Sequence, residues 1–381
     1  MSVRAAVVHE VGAPFVIEHI ELAPVGPHDV RVEMAASGVC HSDLSVQNGT
    51  IPFMFPTVLG HEGAGVVAEV GEAVTRVVPG DHVVLTWMPA CRRCPACLGG
   101  QAMLCDVGLA ESLAGAYATV GGVSLVRGLG TATFGEQTLV PEGEVVRIDP
   151  TVPLELAALV GCALATGVGA AWNTARVTPG SSVAVVGCGG VGLSVIQGAR
   201  LAGASTVVAV DRVASKLEVA RAMGATHVVD ASAEDVPTAV RERTNGRGAD
   251  FSFEVVGRAD TIRAAFTSAR RGGTVVLVGA GSPAEQVTFS AFELFVDAKT
   301  IMGCVYGSTD ADRDFPVLVD LIRRGAIDAE GLVTRRIALD EVNDAFRAME
   351  RGEVARSVIV YDTASTRDRA GSGAVGGKET P

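Results

Sequence analysis

The sequence predicts an α/β protein with a doubly wound parallel sheet domain and a second, β-rich domain. Three observations predict this fold class. The 381 residues exceed what one hydrophobic core supports efficiently, short apolar runs fill the first half, and strand and helix patterns alternate after Pro153. Glycine is abundant at 46 residues and apolar residues make up 48%, which favours packed α/β units over disorder or a fibrous repeat.

The first half of the chain has the pattern of the β-rich domain. Between Val3 and Val78, apolar runs such as Val30–Met34 and Gly65–Val70 alternate with Gly, Pro and Asp. This alternation is typical of short strands joined by turns. We place the first part of this domain at residues 1–163.

The middle of the chain, residues 164–305, is predicted to form the doubly wound domain. The alanine-rich segment Leu154–Ala175 predicts one helix that leads into it. Five buried strands are predicted, at Ser182–Val186, Thr206–Asp211, His227–Asp230, Asp250–Val255 and Gly273–Val278. Four helices are predicted between them, at Val191–Leu201, Ala214–Met223, Val236–Thr244 and Thr261–Ala269. A doubly wound parallel sheet requires this repeated order of strand and helix.

The last part of the chain, residues 306–362, is predicted to return to the β-rich domain. Pro316–Arg324 and Leu339–Arg351 have the apolar spacing of amphipathic helices, and Ser357–Tyr361 has that of a last strand. Residues 363–381 are rich in Gly, Ser, Thr and charge and lack apolar periodicity. We expect them to form a disordered tail and assign it no function.

Charge and hydropathy exclude several classes of function. The formal net charge of −12 argues against nucleic-acid binding, because phosphate affinity depends on dense Lys and Arg. No apolar run reaches the roughly 20 charge-free residues that span a bilayer, and residues 1–10 lack the pattern of a signal peptide. We therefore expect a cytoplasmic protein that acts on small molecules and has no nucleic-acid or membrane partner.

Four of the eight cysteines crowd into one short segment. They are Cys91, Cys94, Cys97 and Cys105. Four thiolates at this spacing can converge on one tetrahedral ion and leave no position for a substrate, so the cluster predicts a structural zinc. A chain of this length without a signal peptide does not need disulfides. An iron–sulfur cluster usually has a different Cys spacing, and no electron-transfer motif accompanies this one.

A second metal site is predicted from residues that lie far apart in the sequence. Cys40 opens a Cys-His-Ser-Asp sequence, His61 lies in Gly-His-Glu-Gly-Ala-Gly, and Cys162 is available as a third ligand. Two Cys and one His leave one zinc position open, where an alcohol oxygen can bind and be stabilised as the alkoxide. Zinc is not redox active, so an organic acceptor must take the hydride. Each of these residues alone is a weak signal, since a single Cys or His is more often structural.

The acceptor site is predicted in the middle domain. Residues 187–192, Gly-Cys-Gly-Gly-Val-Gly, follow a predicted strand and open a predicted helix, and Asp211 ends the next strand about 20 residues on. The residues expected to bind the pyrophosphate are Gly187, Gly189, Gly190, Val191 and Gly192. Asp211 can accept hydrogen bonds from the adenosine ribose, which favours NAD over NADP, although the adjacent Arg212 softens this preference. Cys188 and Cys304 fit no ligand role and are interpreted as packed side chains.

Together, the two short motifs, the four-Cys segment and this Rossmann fingerprint resemble the zinc-containing medium-chain alcohol dehydrogenases, in their longer-chain, class III-like type. The resemblance covers nearly the whole chain. It implies a GroES-like fold for the β-rich domain and hydride transfer between a primary or secondary alcohol and NAD (EC 1.1.1.-). It also implies two zinc ions per chain and a homodimer, with a tetramer as the alternative.

The resemblance further implies roles for residues around the metal. The catalytic zinc ligands match Cys40, His61 and Cys162. Asp43 matches the carboxylate that orients the His ligand, and Glu62 matches an acid that can approach the metal. Ser42 matches the hydroxyl that relays the alcohol proton. Where many members end this relay with a His, the chain has Ser45, so water or another base is expected to take the last proton.

Coenzyme and substrate contacts are implied in the same way. The matching coenzyme positions are Lys216 beside the adenosine ribose, His41 and Arg356 at the pyrophosphate, and Thr166 near the nicotinamide. Trp87 and Phe134 match positions that line the substrate channel, and the nearby residues 51–55 are all apolar. Aromatic walls favour an apolar or aromatic alcohol over a charged one, because a buried charge without a partner is costly. A role in the core is an equal alternative for some of these side chains.

Two alternative functions are compatible with parts of the sequence. The first is a formaldehyde dehydrogenase that acts on the adduct with glutathione or a similar thiol, as the long spacing between Cys105 and Phe134 suggests. Such an enzyme needs cationic residues at the pocket mouth, and residues 106–126 contain acidic residues but no Lys or Arg. The second is a zinc-free quinone-type reductase or a non-catalytic nucleotide-binding protein. The presence of both ligand sets argues against this class.

Overall fold

The computed structural model describes residues 1–115 and 117–362, and the tail at residues 363–381 lies outside this part of the chain. The strands are β1 Ser2–Val8, β2 Val16–Leu22, β3 Asp29–Val39, β4 Thr57–Val58, β5 Glu62–Val70, β6 His82–Leu85, β7 Ala118–Val120, β8 Val123–Arg127, β9 Gln137–Pro141, β10 Val145–Arg147, β11 Ser182–Val186, β12 Thr206–Asp211, β13 His227–Asp230, β14 Ala249–Glu254, β15 Ala269–Leu277, β16 Thr300–Gly303, β17 Arg335–Ile337 and β18 Ser357–Val360.

Helices alternate with these strands. The α-helices are α1 His41–Gln47, α2 Pro95–Leu98, α3 Asp106–Leu113, α4 Leu154–Ala157, α5 Ala163–Gly169, α6 Gly190–Leu201, α7 Ala214–Ala222, α8 Val236–Arg243, α9 Ala259–Ser268, α10 Ala291–Asp297, α11 Ala311–Arg323 and α12 Val342–Glu350. Short 3-10 helices lie at Ala102–Leu104, Glu142–Glu144, Ala158–Gly161, Glu330–Leu332 and Leu339–Glu341. Ala170–Thr174 is a π-helical turn, and Gly128–Gly130 and Tyr306–Ser308 are single turns that contain left-handed residues.

The β-rich part consists of a barrel and an adjoining sheet. Strands β1, β2, β7, β8 and β4 close the barrel, and the sheet has the order β10-β6-β5-β3-β18-β17, with β9 paired to β3. The prediction that the last strand rejoins the first part of the chain is confirmed, since β18 pairs antiparallel with β3. This pairing brings the residues before β18 next to the end of β3.

The second sheet has the order β13-β12-β11-β14-β15-β16, and all neighbouring strands are parallel. The strand order reverses at β11, as in a doubly wound dinucleotide-binding domain. The predicted fold class is therefore confirmed. Strand β16 and helix α10 are not among the predicted elements, because β16 is a short edge strand with no fully buried residue and α10 is mostly exposed, so neither has a strong apolar pattern.

The single helix predicted over Leu154–Ala175 is wrong. The chain leaves the helical conformation at Cys162, where φ is −146° and ψ is −71°, and the helical segments on its two sides meet at 55°. The helix that the sequence predicts from Pro316 begins earlier, at Ala311, because acidic residues before the proline already favour a helix N-terminus.

The break at Cys162 lies between Val160 and Leu164, which belong to the largest buried apolar cluster of the described residues. This cluster joins apolar side chains from α4, α5, β11, α6 and α11, among them Leu154, Leu164, Val185, Leu193 and Phe315. The cluster also contains Ala36 of β3 and Ala64 of β5, so both sheets contribute side chains to it. Within the described residues, no single helix is long and apolar enough to cross a membrane, and the bent pair around Cys162 meets that test only in combination. The cytoplasmic location stays a prediction.

Candidate active site and second metal centre

Three residues that are distant in the sequence meet beside the junction of the two sheets. Cys40 lies between β3 and α1, His61 precedes β5, and Cys162 lies at the helix break. The two Sγ atoms and the imidazole nitrogen that they offer lie within 4.8 Å of one another. All three side chains are buried. Two thiolates and an imidazole form a ligand set that zinc takes in catalytic sites.

Asp43 holds two of these residues in place. One of its carboxylate oxygens lies 3.1 Å from Nδ1 of His61 and also accepts a hydrogen bond from the Gly60 amide at 2.9 Å. The other oxygen accepts from the Cys40 amide at 3.3 Å. With the Nδ1 proton directed at Asp43, the lone pair of Nε2 is left for a metal. The structure thus places Asp43 where the resemblance expects the orienting carboxylate.

The two buried thiols cannot easily ionise together. The hydrogen bond with Cys162 lowers the pKa of Cys40 well below its usual range, and the same contact raises the pKa of Cys162 well above it. Two thiolates packed in a dry site repel each other unless a cation lies between them. The chemistry of this donor set therefore fits a divalent metal ion.

Glu62, the first residue of β5, is fully buried beside this site. Its Oε1 accepts a hydrogen bond from the Ala163 amide at 2.8 Å, and its Oε2 lies 3.3 Å from the Arg356 guanidinium. Gly38 on β3 makes room for the carboxylate, since a Cβ there would collide with it. Burial raises the pKa of Glu62 to about 7, against the opposing charge of Arg356. Glu62 therefore holds the backbone next to Cys162.

The four cysteines of the second cluster enclose a small lobe around α2. Their Sγ atoms lie within 4.8 Å of one another, and those of Cys94 and Cys105 are 3.8 Å apart. This separation matches the edge of a zinc tetrahedron with Zn–S bonds of about 2.3 Å. The amides of Cys91 and Gly108 donate to the Cys105 sulfur, each at 3.2 Å. The geometry fits a closed, four-sulfur structural zinc.

Arg92 ties this lobe to α11, and no motif in the sequence predicts this role. Its backbone is left-handed, with φ of 63°, and its guanidinium donates to both oxygens of Asp310 and to Asp312, all at 2.6 Å. The acidic start of α11 is visible in the sequence. The pairing of Asp310 with Arg92 is not visible there, because the two residues are 218 positions apart.

The loop between β11 and α6 leaves room for a ligand to approach the backbone. Gly187 has a φ of 103°, and a Cβ at Gly192 would collide with the carbonyl oxygen of Gly187. A Cβ at Gly189 would meet nothing within 4 Å, so this residue borders open space. The first amides of α6, which begins at Gly190, have no partner within the helix. Such a loop fits the pyrophosphate of a dinucleotide.

Asp211 is fixed at the end of β12, next to this loop. Its two carboxylate oxygens accept from the amides of Cys188 at 2.8 Å and Val213 at 3.0 Å. The carboxylate therefore stands where the fingerprint expects the ribose hydroxyls. Cys188 and Cys304 are both buried, which agrees with their interpretation as packed side chains.

Arg356, just before β18, faces the start of α6. A Cβ at Gly190 would lie 2.6 Å from its guanidinium. One guanidinium nitrogen donates to the Val39 carbonyl at 2.9 Å, whereas Nε is buried without a hydrogen-bond partner among the described residues. An unpaired buried donor at a helix N-terminus fits an anionic group. The charges of Arg356 and Lys216 also act on His41, so the three predicted coenzyme residues lie in one region.

Ser42 and Thr166 each contact a metal ligand, and Ser45 lies further along α1. Ser42 is half-buried in α1 with its Oγ 3.8 Å from the Cys40 sulfur, and Ser45 is half-buried further along the same helix. Thr166 lies on α5, and its amide donates to the Cys162 carbonyl at 2.8 Å. The structure therefore brings Ser42 and Thr166 to the metal ligands, and their roles in proton relay and nicotinamide binding stay predictions.

The two predicted pocket residues are placed differently. The ring of Trp87 lies 6.0 Å from that of His61 and 4.7 Å from that of Tyr306, so an aromatic wall stands beside the metal ligands. Phe134 is fully buried and packs edge-on against Phe15, with ring centroids 5.9 Å apart. This placement favours a core role for Phe134, and its contact with substrate stays a prediction.

Known proteins resemble this chain in both sequence and structure. The family described as "Alcohol dehydrogenase GroES-like domain" matches residues 26–150, and "Zinc-binding dehydrogenase" matches residues 190–324. The chain is 39% identical over 370 residues to an S-(hydroxymethyl)glutathione dehydrogenase of Synechocystis sp., covering 95% of this chain and 100% of the relative.

Two solved structures are also similar to this chain in their fold. Benzyl alcohol dehydrogenase from Acinetobacter calcoaceticus superposes with a TM-score of 0.88 at 33% identity, covering 94% of this chain and 99% of that one. A zinc-binding dehydrogenase from Sinorhizobium meliloti, solved with NADP bound, superposes with a TM-score of 0.80 at 30% identity, covering 95% and 100%.

Proposed function

This chain belongs to the zinc-containing medium-chain alcohol dehydrogenases, and we propose that it oxidises apolar or aromatic alcohols with NAD at a zinc bound by Cys40, His61 and Cys162. Membership makes it a zinc-dependent oxidoreductase that acts on alcohols. The observation that carries the proposed site is the meeting of three buried donor atoms within 4.8 Å, with Asp43 behind His61. The four-Cys lobe supports a second, structural zinc.

A zinc ion held by these ligands would supply a Lewis acid that lowers the pKa of an alcohol oxygen, and bound NAD would supply the hydride acceptor. The residues of the chain hold the reactants and move the proton. Asp43 keeps His61 in the tautomer that binds a metal through Nε2. The Ser42 hydroxyl relays the alcohol proton away from the site. The hydroxyl of Ser45 is not a base at neutral pH, so water takes the last proton.

The proposed coenzyme is NAD, bound by residues 164–305, while residues 1–163 and 306–362 hold the metals. The Asp211 carboxylate supports this choice, since it would repel a 2′-phosphate. Arg212 and the NADP bound to the Sinorhizobium relative make a direct comparison necessary. Steady-state kinetics with both coenzymes tests the proposal, and a higher kcat/KM with NADP would contradict it.

The aromatic wall of Trp87 and Tyr306 supports an apolar or aromatic substrate. The likeness to a benzyl alcohol dehydrogenase points the same way. The test is kcat/KM across short alkyl, long alkyl, benzyl and terpenoid alcohols. Equal or better turnover of polar polyols would rule out this substrate class.

A second candidate is oxidation of a formaldehyde–thiol adduct, which the name of the Synechocystis relative favours. A carboxylated adduct needs a cation to pair with its charge. Residues 106–126 offer none, and the exposed Glu111 on α3 is acidic. Formaldehyde oxidation measured with and without glutathione or another small thiol decides between the two. Strict dependence on a thiol would replace the alcohol proposal.

The proposed assembly is a homodimer formed through the edge of the parallel sheet. Among the described residues, β16 pairs with a strand on one side only, and the adjacent α10 exposes Phe292 and Phe295 at 74% and 82%. Large exposed aromatic side chains beside an unpaired strand edge favour association. Light scattering should show Phe295→Asp shifting the wild-type dimer towards monomer. Leu98→Asp, equally exposed on the four-Cys lobe, should not, and a dimer unaffected by Phe295→Asp would reject this interface.

A further inference from the structure

Tyr306, Gly307 and Ser308 form a left-handed turn that follows β16. Their φ angles are 53°, 67° and 50°. This conformation is unfavourable for residues with a Cβ and persists only where the surroundings hold it. The sequence motifs do not include this strained segment, and the aromatic wall uses only the Tyr306 ring.

The backbone of the turn packs onto α5, the helix that follows Cys162. A Cβ at Gly307 would collide with the carbonyl oxygen of Ala165, so only glycine allows this approach. The Thr309 hydroxyl donates to the same carbonyl at 3.1 Å. The turn is therefore fixed relative to the helix that carries one metal ligand at its start.

The Tyr306 side chain reaches the backbone of that ligand. It is 3% exposed, and its hydroxyl donates to the Gly161 carbonyl at 2.5 Å. The same hydroxyl lies 3.3 Å from Thr86 Oγ1, and the ring packs against Trp87 with centroids 4.7 Å apart. One side chain thus touches both the segment before Cys162 and the aromatic wall beside His61.

Cys162 depends on such contacts, because it lies in the break between two helical segments. The peptide group before it contains the Gly161 carbonyl that Tyr306 holds. The peptide group after it contains the Ala163 amide, which donates to Glu62 at 2.8 Å. Because each peptide group is a rigid plane, holding one atom on each side restricts the direction in which the Cys162 side chain leaves the backbone.

We propose that Tyr306 is a positioning residue of the catalytic metal site, whose hydroxyl orients the Cys162 thiolate while its ring fixes Trp87. The inference rests on the proposed function, in which Cys162 is a zinc ligand. Removal of the hydroxyl leaves a buried carbonyl without its donor and frees the peptide plane before Cys162. The metal is then held less tightly, although every ligand is still present.

The test compares Tyr306→Phe with the wild type, each with Co²⁺ in place of the zinc held by Cys40, His61 and Cys162 and with zinc left in the four-Cys lobe of the full-length enzyme. The thiolate-to-cobalt charge-transfer band depends on the direction and length of the sulfur–metal contacts. Tyr306→Phe should shift this band and release the catalytic metal to a chelator about tenfold faster or more. Tyr117→Phe is the matched control, because Tyr117 is fully buried and its hydroxyl has no hydrogen-bond partner among the described residues. It should match the wild type in both measurements.

Thr86→Val is a second control, since it removes the other contact of the Tyr306 hydroxyl and leaves the bond to Gly161. It should retain the wild-type band and release rate. A Tyr306→Phe protein with the wild-type band and release rate overturns the inference, and so does a Thr86→Val protein with the same losses. The proposed metal site fails separately if Cys162→Ser leaves the cobalt spectrum of the enzyme unchanged.

Discussion

Nδ1 of His61 lies 3.1 Å from a carboxylate oxygen of Asp43, and both side chains are almost completely buried. The same carboxylate accepts hydrogen bonds from the amides of Gly60 and Cys40. A single acid thus sets the ring orientation of one metal ligand and the backbone position of another. Removal of its charge should weaken metal binding without touching any ligand.

Asp43→Asn is expected to lower zinc affinity about 10- to 100-fold at the catalytic site. The two carboxylate oxygens of Asp43 accept three hydrogen bonds, whereas the asparagine amide has a single oxygen to accept them. Competition with a chromogenic chelator measures this change. Asp344→Asn is the control, since Asp344 is an exposed carboxylate in a surface ion pair. Wild-type zinc affinity in Asp43→Asn would show that Asp43 does not orient His61.

Metal analysis should give two zinc ions per chain, and Cys40→Ser or His61→Ala should lower this to one. These variants should lose turnover but keep NAD binding, because the glycine loop and Asp211 are built by other elements. Calorimetric titration with NAD checks the second statement. Retention of both zinc ions together with wild-type turnover would refute the assignment of the ligands.

Asp211→Gly should weaken NAD binding by roughly tenfold or more and NADP binding less, since lost hydrogen bonds to a charged group cost about 1.5–3 kcal/mol. Dissociation constants for both coenzymes give the ratio. Asp230→Gly provides the control, because Asp230 pairs with Asp211 in register on the neighbouring strand β13. Equal loss for the two coenzymes in Asp211→Gly would mean that the carboxylate does not discriminate at the ribose.

Ser42→Ala should reduce kcat about 10²- to 10⁴-fold, the range that a positioned proton-transfer group supplies. The larger part of the loss should disappear at high pH, where hydroxide takes the proton directly. Ser45→Ala, further along α1, should change kcat less if water accepts the last proton. The pH profiles of both variants test this order, and a larger loss in Ser45→Ala would reverse the proposed relay.

Much of the parallel sheet could be predicted from the sequence, because its central strands are buried. The first three strands have the predicted bounds, Ser182–Val186, Thr206–Asp211 and His227–Asp230. A strand that is buried on both faces has a sequence of consecutive apolar residues, which is easy to recognise. The helix break at Cys162 could not be predicted, since the local sequence favours a helix and the break is held by distant contacts from Glu62 and Tyr306.

In the candidate site, too, residues with a characteristic chemistry could be predicted, whereas residues that act through distant contacts could not. Cys40, His61 and Cys162 could be proposed because Cys and His are the residues that bind zinc, and the structure brings them together. Arg92 and Tyr306 carry no such signature. Their importance lies in partners more than a hundred residues away, which no local pattern encodes.

The buried carboxyl of Glu144 should make the free energy of unfolding depend on pH. It is fully buried against Ser112 and Arg127, and burial raises its pKa to about 8, against the opposing charge of Arg127. In the unfolded chain the group titrates near 4.3. Between these two values the folded protein binds the proton and the unfolded chain does not, so this carboxyl makes the free energy of unfolding fall as pH rises.

Glu144→Gln removes this titration and keeps a neutral side chain of the same shape. Its stability relative to the wild type should increase by up to about 1.4 kcal/mol per pH unit between about pH 5 and 8, and then stay constant. Denaturant unfolding at pH 5.5, 7 and 8.5 measures the difference, with the exposed Glu350→Gln as the control. A difference that does not change with pH would mean that Glu144 is ionised throughout and is stabilised as an ion pair with Arg127.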